Sequence, residues 1–504
     1  MGMSTKASSE TTFTRRGILA AGAALAGVAA SAGVASAAEK SSSAKDSAAS
    51  AAADGKAYDA VIVGSGLSGV STGVRLLEQG VGRVLIVTKA DFGAGCNSRV
   101  AGGQFLFPME DTDAGVQAMI DSFNKKSKGK GRADLTQLVC ANSKAANDWL
   151  VSHGCSFTDP NQVKPYDVLA VSAAPGGGKG MPALMDQMCS EYQNAGGEVL
   201  ANAKLLDLVM DESGAVSGVK VRTADGVRTV AAKHVVIATG GYLANKAIME
   251  IACGADGDEI MVRGDKTLTG DGLLAVERAG GMRYCMGGIE QSLHIAPVPP
   301  DMPALCPFAS AMYTVVVNAA GERFVDEGLG YVAIGKGAYN QPGQTHAMIF
   351  DATTVDEVKV MKDDLDKFNN FGIPVAQADT IEDLAAQINV DPATLAKTID
   401  DFNAATDGEK TTGLAIEKTA CARPVSTAPF YAFYPMVPGG TQCFGGLYTD
   451  GDCRALEADG TVIANLFVVG EAIGGLFAYD YIGGGSLTRC VTSGMHVADV
   501  IAQA

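Results

Sequence analysis

Short apolar runs that stop at glycine dominate the pattern along this chain. YDAVIVGSGLSGVSTGVRLLEQG, residues 58–80, opens with an apolar strand over Ala60 to Val63, and its glycines then lead into a helix. VLIVTK (84–89) predicts a second strand. AAKHVVIATGGYLANK (231–246) predicts another, over 234–238, ending at Thr239-Gly240-Gly241. NLFVVGEAIGG (465–475) gives one more, halted at Gly470-Glu471. Between them, 196–226 reads as strands in a turn-rich β-meander. Strands that each end in a glycine-rich turn describe an α/β fold, a parallel sheet with a ligand lying across its carboxyl ends. The texture changes at QSLHIAPVPPDMPALCPFASAMYTVVV, which is proline-rich, and 352–400 is charged and helical, as in a peripheral domain.

The first turn carries the sharpest chemistry. Gly64, Gly66 and Gly69 form G-x-G-x-x-G. Gly64 permits the tight turn, Gly66 leaves room for a pyrophosphate facing the helix amides, and Gly69 lets helix and strand pack closely. A dinucleotide site of this kind ordinarily has an acid at the end of the second strand, to hold the adenosine ribose. Thr88 stands there instead, and a hydroxyl holds a ribose more weakly than a carboxylate does. CNSRVAGGQF (96–105) then adds Asn97, Ser98, Gly102 and Gly103 after the second strand.

Composition narrows the function. The 504 residues suffice for two or three domains with real cores, and 62 glycines with 47% hydrophobic content argue against disorder. A formal net charge of -17 makes nucleic acid an unsuitable partner. The 11 cysteines are scattered without zinc-type, haem or ferredoxin spacing, so no metal site is expected. At the amino terminus, Arg15-Arg16 precede a Gly/Ala-rich run and a small-residue site at Ala35-Ser36-Ala37. Residues 1–37 therefore read as a twin-arginine export signal and 38–56 as a flexible linker. The expectation is transient contact with the twin-arginine machinery and a location in the periplasm or on the outer side of the cell envelope.

Taken together, VGSGLSG, NSRVAGGQF, ATGGY, TGDGL, GERFVDE, FGGLYTD and VVGEAIGGLFAYDYIGGGSLTRCVTSG resemble one family, the FAD-dependent fumarate reductase/3-ketosteroid dehydrogenase flavoproteins. The resemblance covers about residues 57–504. It implies a Rossmann-like FAD-binding domain, at 57–290 and 435–504, with an inserted α+β capping domain at 291–434. By resemblance, Gly64, Gly66, Gly69, Ser98, Gly102 and Gly103 meet the flavin phosphates and ring, Gly240 and Asp271 lie near the adenine side, and Glu471 follows the last strand. A subfamily attaches its flavin through a histidine just before the A-x-GG segment. Asn97-Ser98 stand there in this chain, which implies non-covalent FAD.

The same resemblance directs attention to the substrate side. Fumarate-reducing relatives hold a dianion with arginines and histidines. At two of those positions this chain has Tyr331 and Tyr481, and near the T-x-GG segment it has Thr441 and Gln442 in place of a histidine. The ketosteroid branch instead uses a tyrosine for proton transfer to carbon, with a second tyrosine and a backbone amide to polarise a ketone. Tyr331, Tyr481 and Gly485 match those roles. The leading expectation is an exported oxidoreductase moving hydride between flavin N5 and the double bond of an α,β-unsaturated carbonyl compound, steroid-like ketones included. The alternatives are a reductase of an unsaturated carboxylate (fumarate, urocanate or cinnamate-like) and a non-catalytic flavin electron-transfer protein. The carboxylate reading needs Arg489, Arg423 or His294 to meet the charge. Electrons are expected to pass to or from a separate partner.

Overall fold

A computed structural model describes residues 57–504 apart from 164–165, 177–178, 255, 287–288, 296–305, 309 and 479, and gives the backbone alone for 289–295. The expected export signal and linker, Tyr479 and the His294 side chain lie outside the described residues.

The predicted parallel sheet is present. Tyr58–Val63 sits at its centre, parallel to Val84–Val87 on one side and to Gly226–Ile237 on the other. Glu198–Leu200 extends the first side and Val462–Val468 the second, both parallel. Register brings the strand ends level: Val63 pairs with Val87 and with Ile237, which in turn pairs with Val468. Gly64, Thr88, Ala238 and Val469 therefore leave the sheet at one edge. Lys204–Met210, Val216–Thr223 and the start of Gly226–Ile237 form the expected antiparallel meander. The helix Leu67–Glu78 follows the central strand and packs along the closing helix Gly485–Ala502, from the other end of the chain. Their close approach is marked at Gly494, where a Cβ would come within 2.8 Å of the Ser68 carbonyl.

The cap is a second, six-stranded sheet built around the 14-residue strand Phe430–Cys443. Its strands Val315–Asn318 and His346–Asp351 alternate with a period of two. Val315, Val317, Ala347 and Ile349 pack with Leu384, Ile399 and Phe402. Val316, Met348 and Phe350 face the other way, onto Met361, Phe368 and Phe433. Helices thus cover both faces, as the charged, helical stretch 352–400 leads one to expect. The short strand Met261–Val262 pairs parallel with Gly439 and Gly440, and Ile289–Ile295 pairs antiparallel with Met436 to Cys443. The cap sheet therefore takes in Met261–Val262, ahead of the helix Asp271–Arg278, as well as strands between residues 289 and 443.

Candidate active site

One cavity of about 650 Å³ lies along the shared edge where the strands end. Its lining joins Gly64, Thr88, Lys89 and Asp271 of the parallel-sheet side to Phe308 and Tyr331 of the cap. At the glycine turn the backbone explains the residue types. Gly64 has φ +115°, and a Cβ there would stand 2.2 Å from the Ala238 carbonyl. A Cβ on Gly69 would be 2.0 Å from the Gly64 carbonyl. Gly66 differs, since its Cβ would meet only Ser98 Oγ at 3.6 Å and Cys96 Cβ at 3.7 Å, both ordinary contacts. The space in front of Gly66 opens to the cavity, where the helix amides can face an anion. Ser98 Oγ accepts the first of those amides, from Leu67, at 3.0 Å.

Beside this turn, the hydroxyls of Ser65 and Thr88 hydrogen-bond at 3.0 Å, and Ser65 also accepts the Gly93 amide at 3.1 Å. Thr88 is therefore anchored where an acid is usual. A carboxylate reaches the cavity nearby all the same: Asp271 opens the helix Asp271–Arg278 and is held by Lys89 Nζ at 2.8 Å and Lys204 Nζ at 3.3 Å. Burial pushes the Asp271 carboxyl up, but the Lys89 bond and the two ammonium charges outweigh it and hold it below the usual range.

Asn97 stitches the middle of the wall. Its amide donates to the Thr441 carbonyl at 2.6 Å and toward Glu471 at 3.3 Å, while its oxygen accepts the Asp265 amide at 2.8 Å. Glu471 also accepts the Cys443 amide at 2.8 Å. Gly102, Gly103 and Gly240 line the cavity as well. Cys96 and Cys490, two thiols in the lining, are pushed up to about 11 by burial and stay protonated at neutral pH.

At the cap side Tyr331 and Tyr481 both line the cavity. Tyr331 opens the helix Tyr331–Tyr339 and meets Phe308 edge-on with ring centroids 4.7 Å apart. Tyr481 packs edge-on against Phe477 at 4.9 Å, and its phenol oxygen accepts the Gly484 amide at 3.1 Å. Gly485 does not join them. Its amide is turned back to the Ile482 carbonyl at 3.1 Å, and its α-carbon is packed against Phe477 and Phe123, away from the cavity lining. Of this glycine run, Gly483 and Gly484 line the cavity.

Two arginines matter here. Arg263, absent from the sequence-based expectations, is buried and lines the cavity with its guanidinium 4.6 Å from the Phe308 ring centre. It arrives through the Met261–Val262 pairing, and its amide donates to the Gly440 carbonyl at 2.8 Å. Arg489, on the carboxy-terminal helix, is fully buried in the wall. Arg423, the other arginine considered, is tied to Glu357 and lies outside the lining.

The residues present suit an FAD. The glycine turn leaves a gap in front of a helix amino end, glycine backbone lines the mid-wall, and Glu471 and Asn97 offer fixed polar groups. Comparison with known proteins agrees. The family model described as "FAD binding domain" matches residues 59–487. The NADH:acrylate oxidoreductase of Vibrio harveyi is 29% identical over 384 residues, 72% of this chain, but the match takes in only 36% of that longer protein. A probable fumarate reductase of Shewanella frigidimarina is 25% identical over 90% of this chain and 76% of its own. Urocanate reductase of Eggerthella lenta is 26% identical over 85% of this chain and 72% of its own. Among solved structures, a flavocytochrome c3 fumarate reductase aligns with TM-score 0.73 at 23% identity, over 92% of this chain and 80% of that one. The 3-ketosteroid delta1-dehydrogenase of Sterolibacterium denitrificans aligns with TM-score 0.72 at 19% identity, over 89% and 99%. With that family model running from the glycine turn through the cap to the start of the closing helix, the chain belongs to the FAD-binding-domain family and is an FAD-dependent oxidoreductase.

Proposed function

We propose that this enzyme reduces the double bond of an α,β-unsaturated monocarboxylate whose other end is apolar or aromatic. Arg263 carries the reading. A carboxylate taken into a buried site without a fixed cation costs several kcal/mol. Arg263 supplies such a cation on the cavity wall, beside Phe308 and, through that ring, Tyr331. The names of the relatives point the same way, toward acrylate, fumarate and urocanate. A dianion fits less well: Lys126, another cation in the lining, is already paired with Asp480 at 2.9 Å.

Bound FAD supplies hydride transfer to carbon. Arg263 would hold the carboxylate and so set which carbon faces the flavin. Tyr331, at the positive end of its helix, would keep the phenol proton destined for the α-carbon, the helix dipole easing the charge left behind. Tyr481, oriented by the Gly484 amide that its oxygen accepts, would donate to a substrate oxygen. Phe308, Tyr331 and Ile482 offer apolar surface that excludes water. Electrons come from a separate donor. The export reading of residues 1–37 belongs to this proposal and rests on the sequence alone; amino-terminal sequencing of protein from the cell envelope tests it.

A second reading, reduction or desaturation of a neutral enone, is favoured by one observation: Tyr331 and Tyr481, both in the lining, stand where dianion-binding relatives place arginines. An anaerobic titration separates the two. Dithionite-reduced holoprotein, freed of excess reductant, is mixed with cinnamate-type acids, fumarate, urocanate and neutral enones, and flavin reoxidation is followed. Aryl or alkyl acrylates are expected to reoxidise it fastest. Reoxidation by enones with none by any acid would overturn the carboxylate reading.

A further inference from the structure

We propose that Arg489 is a positioning residue for the cofactor, a fixed positive charge in the cavity wall that favours negative charge on the bound flavin ring and raises its reduction potential. The guanidinium is fully buried, and its Nε and Nη2 have no hydrogen-bond partner. Nη1 makes one long contact, to the Ile473 carbonyl at 3.4 Å. A buried cation with two unmet N–H groups is costly, and wants an acceptor or a negative charge to offset it. None is provided among the described residues. Glu471, the nearest acid in electrostatic reach, is committed to the Cys443 amide and Asn97, and Arg489 has no ion pair among the described residues. Phe477 offers only a ring at 5.4 Å.

The surroundings assign that missing charge to the cofactor rather than to the substrate. Ile473, Phe477, Glu471, Tyr481 and Cys490 come from the last strand end, the closing helix and the segment between them; of the groups near it, Cys443 belongs to the cap sheet, at the end of its long strand. Zero exposure also means that the guanidinium is set behind the surface, where it acts through space and cannot swing out to clamp an incoming ligand. Two-electron reduction of a flavin with uptake of one proton leaves the ring one unit more negative. A fixed charge in a water-poor wall favours that state without reorganising. The amino end of the helix Gly485–Ala502, one turn before Arg489, adds a field of the same sign. The effect needs only the bound FAD and is independent of which substrate the enzyme reduces.

The test uses FAD-loaded wild type, R489M and R489K, reading the midpoint potential against a reference dye and the affinity for sulfite, which adds to flavin N5 and leaves negative charge on the ring. R489M is expected to shift the reduction equilibrium about tenfold toward the oxidised flavin, roughly 30 mV for a two-electron couple, and to bind sulfite about tenfold more weakly. R489K, which keeps the charge, is expected to stay close to wild type on both. An R489M holoprotein with wild-type potential and sulfite affinity overturns the proposal, and so does an R489K holoprotein as impaired as R489M. Should R489M fail to retain FAD, R489K and the wild type decide the matter. Wild-type flavin must then bleach on sulfite addition and R489K with it, and resistance of the wild type to sulfite rejects the inference.

Discussion

The phenol oxygen of Tyr481 accepts the backbone amide of Gly484 at 3.1 Å, so the side chain is fixed by the very glycine run that follows it. The amide orients the phenol at the cavity wall. Y481F removes both the acceptor and the donor. It should lower kcat/KM about 10- to 100-fold, the scale of one hydrogen bond to a charged or charging group. FAD content should not change, because no predicted cofactor contact runs through the hydroxyl. Flavin absorbance per protein and steady-state rates, measured together, check both halves.

Arg263 makes a different prediction, one that depends on the substrate. R263Q keeps a hydrogen-bonding side chain but loses the charge. With an unsaturated acid, kcat/KM should fall by a factor of about 30 to 5,000, corresponding to about 2–5 kcal/mol for an unpaired buried carboxylate. With the matching methyl ketone the same variant should lose little. Equal losses on acid and ketone would mean that Arg263 shapes the wall without reading charge.

The contrast between these two residues shows what sequence could and could not reveal. Tyr481 sits beside a glycine run, and local pattern was enough to bring it forward. The Gly485 amide, expected to face a ketone beside it, donates instead to the Ile482 carbonyl as the helix begins, and such a turn has no local signal. The parallel strands were legible for the same local reason: each apolar run stops at a glycine where the ligand edge begins. Arg263 was not legible. It reaches the cavity only because Met261–Val262 pairs with Gly439 and Gly440, far away in sequence, and a two-residue strand carries no periodicity. The cap was recognisable by texture, but its sheet borrows strands from both sides, so composition alone could not place its edges.

The glycine turn separates folding from binding. A methyl on Gly69 would collide with the Gly64 carbonyl at 2.0 Å, backbone that cannot step aside cheaply. G69A should therefore destabilise even the cofactor-free protein, by about 1–3 kcal/mol. A methyl on Gly66 meets no protein atom closer than 3.6 Å and points into the space open to the pyrophosphate. G66A should keep the apo-protein melting temperature and lose FAD affinity. Melting curves with and without added FAD distinguish the two, and equal apo-protein destabilisation in both variants would remove this account of the motif.

Asp271 gives the fold a dependence on acid. Its folded carboxyl lies below the ordinary value of 3.8, with Lys89 and Lys204 outweighing the effect of burial. The unfolded chain therefore binds the proton more readily than the folded one. Stability from this group is fully present above the unfolded value and is lost as pH falls through the folded value. D271N removes the charge and leaves Lys89 with a weaker partner, Thr269, whose hydroxyl accepts its proton at 2.7 Å. At neutral pH the variant should be less stable than wild type by about 1–3 kcal/mol, because a mostly buried charge pair is broken. The gap should narrow steadily below about pH 4 as the wild-type carboxylate is protonated. Urea unfolding of both proteins across that range measures it, and a gap that does not change with pH would show that Asp271 stabilises the fold by packing and not by charge.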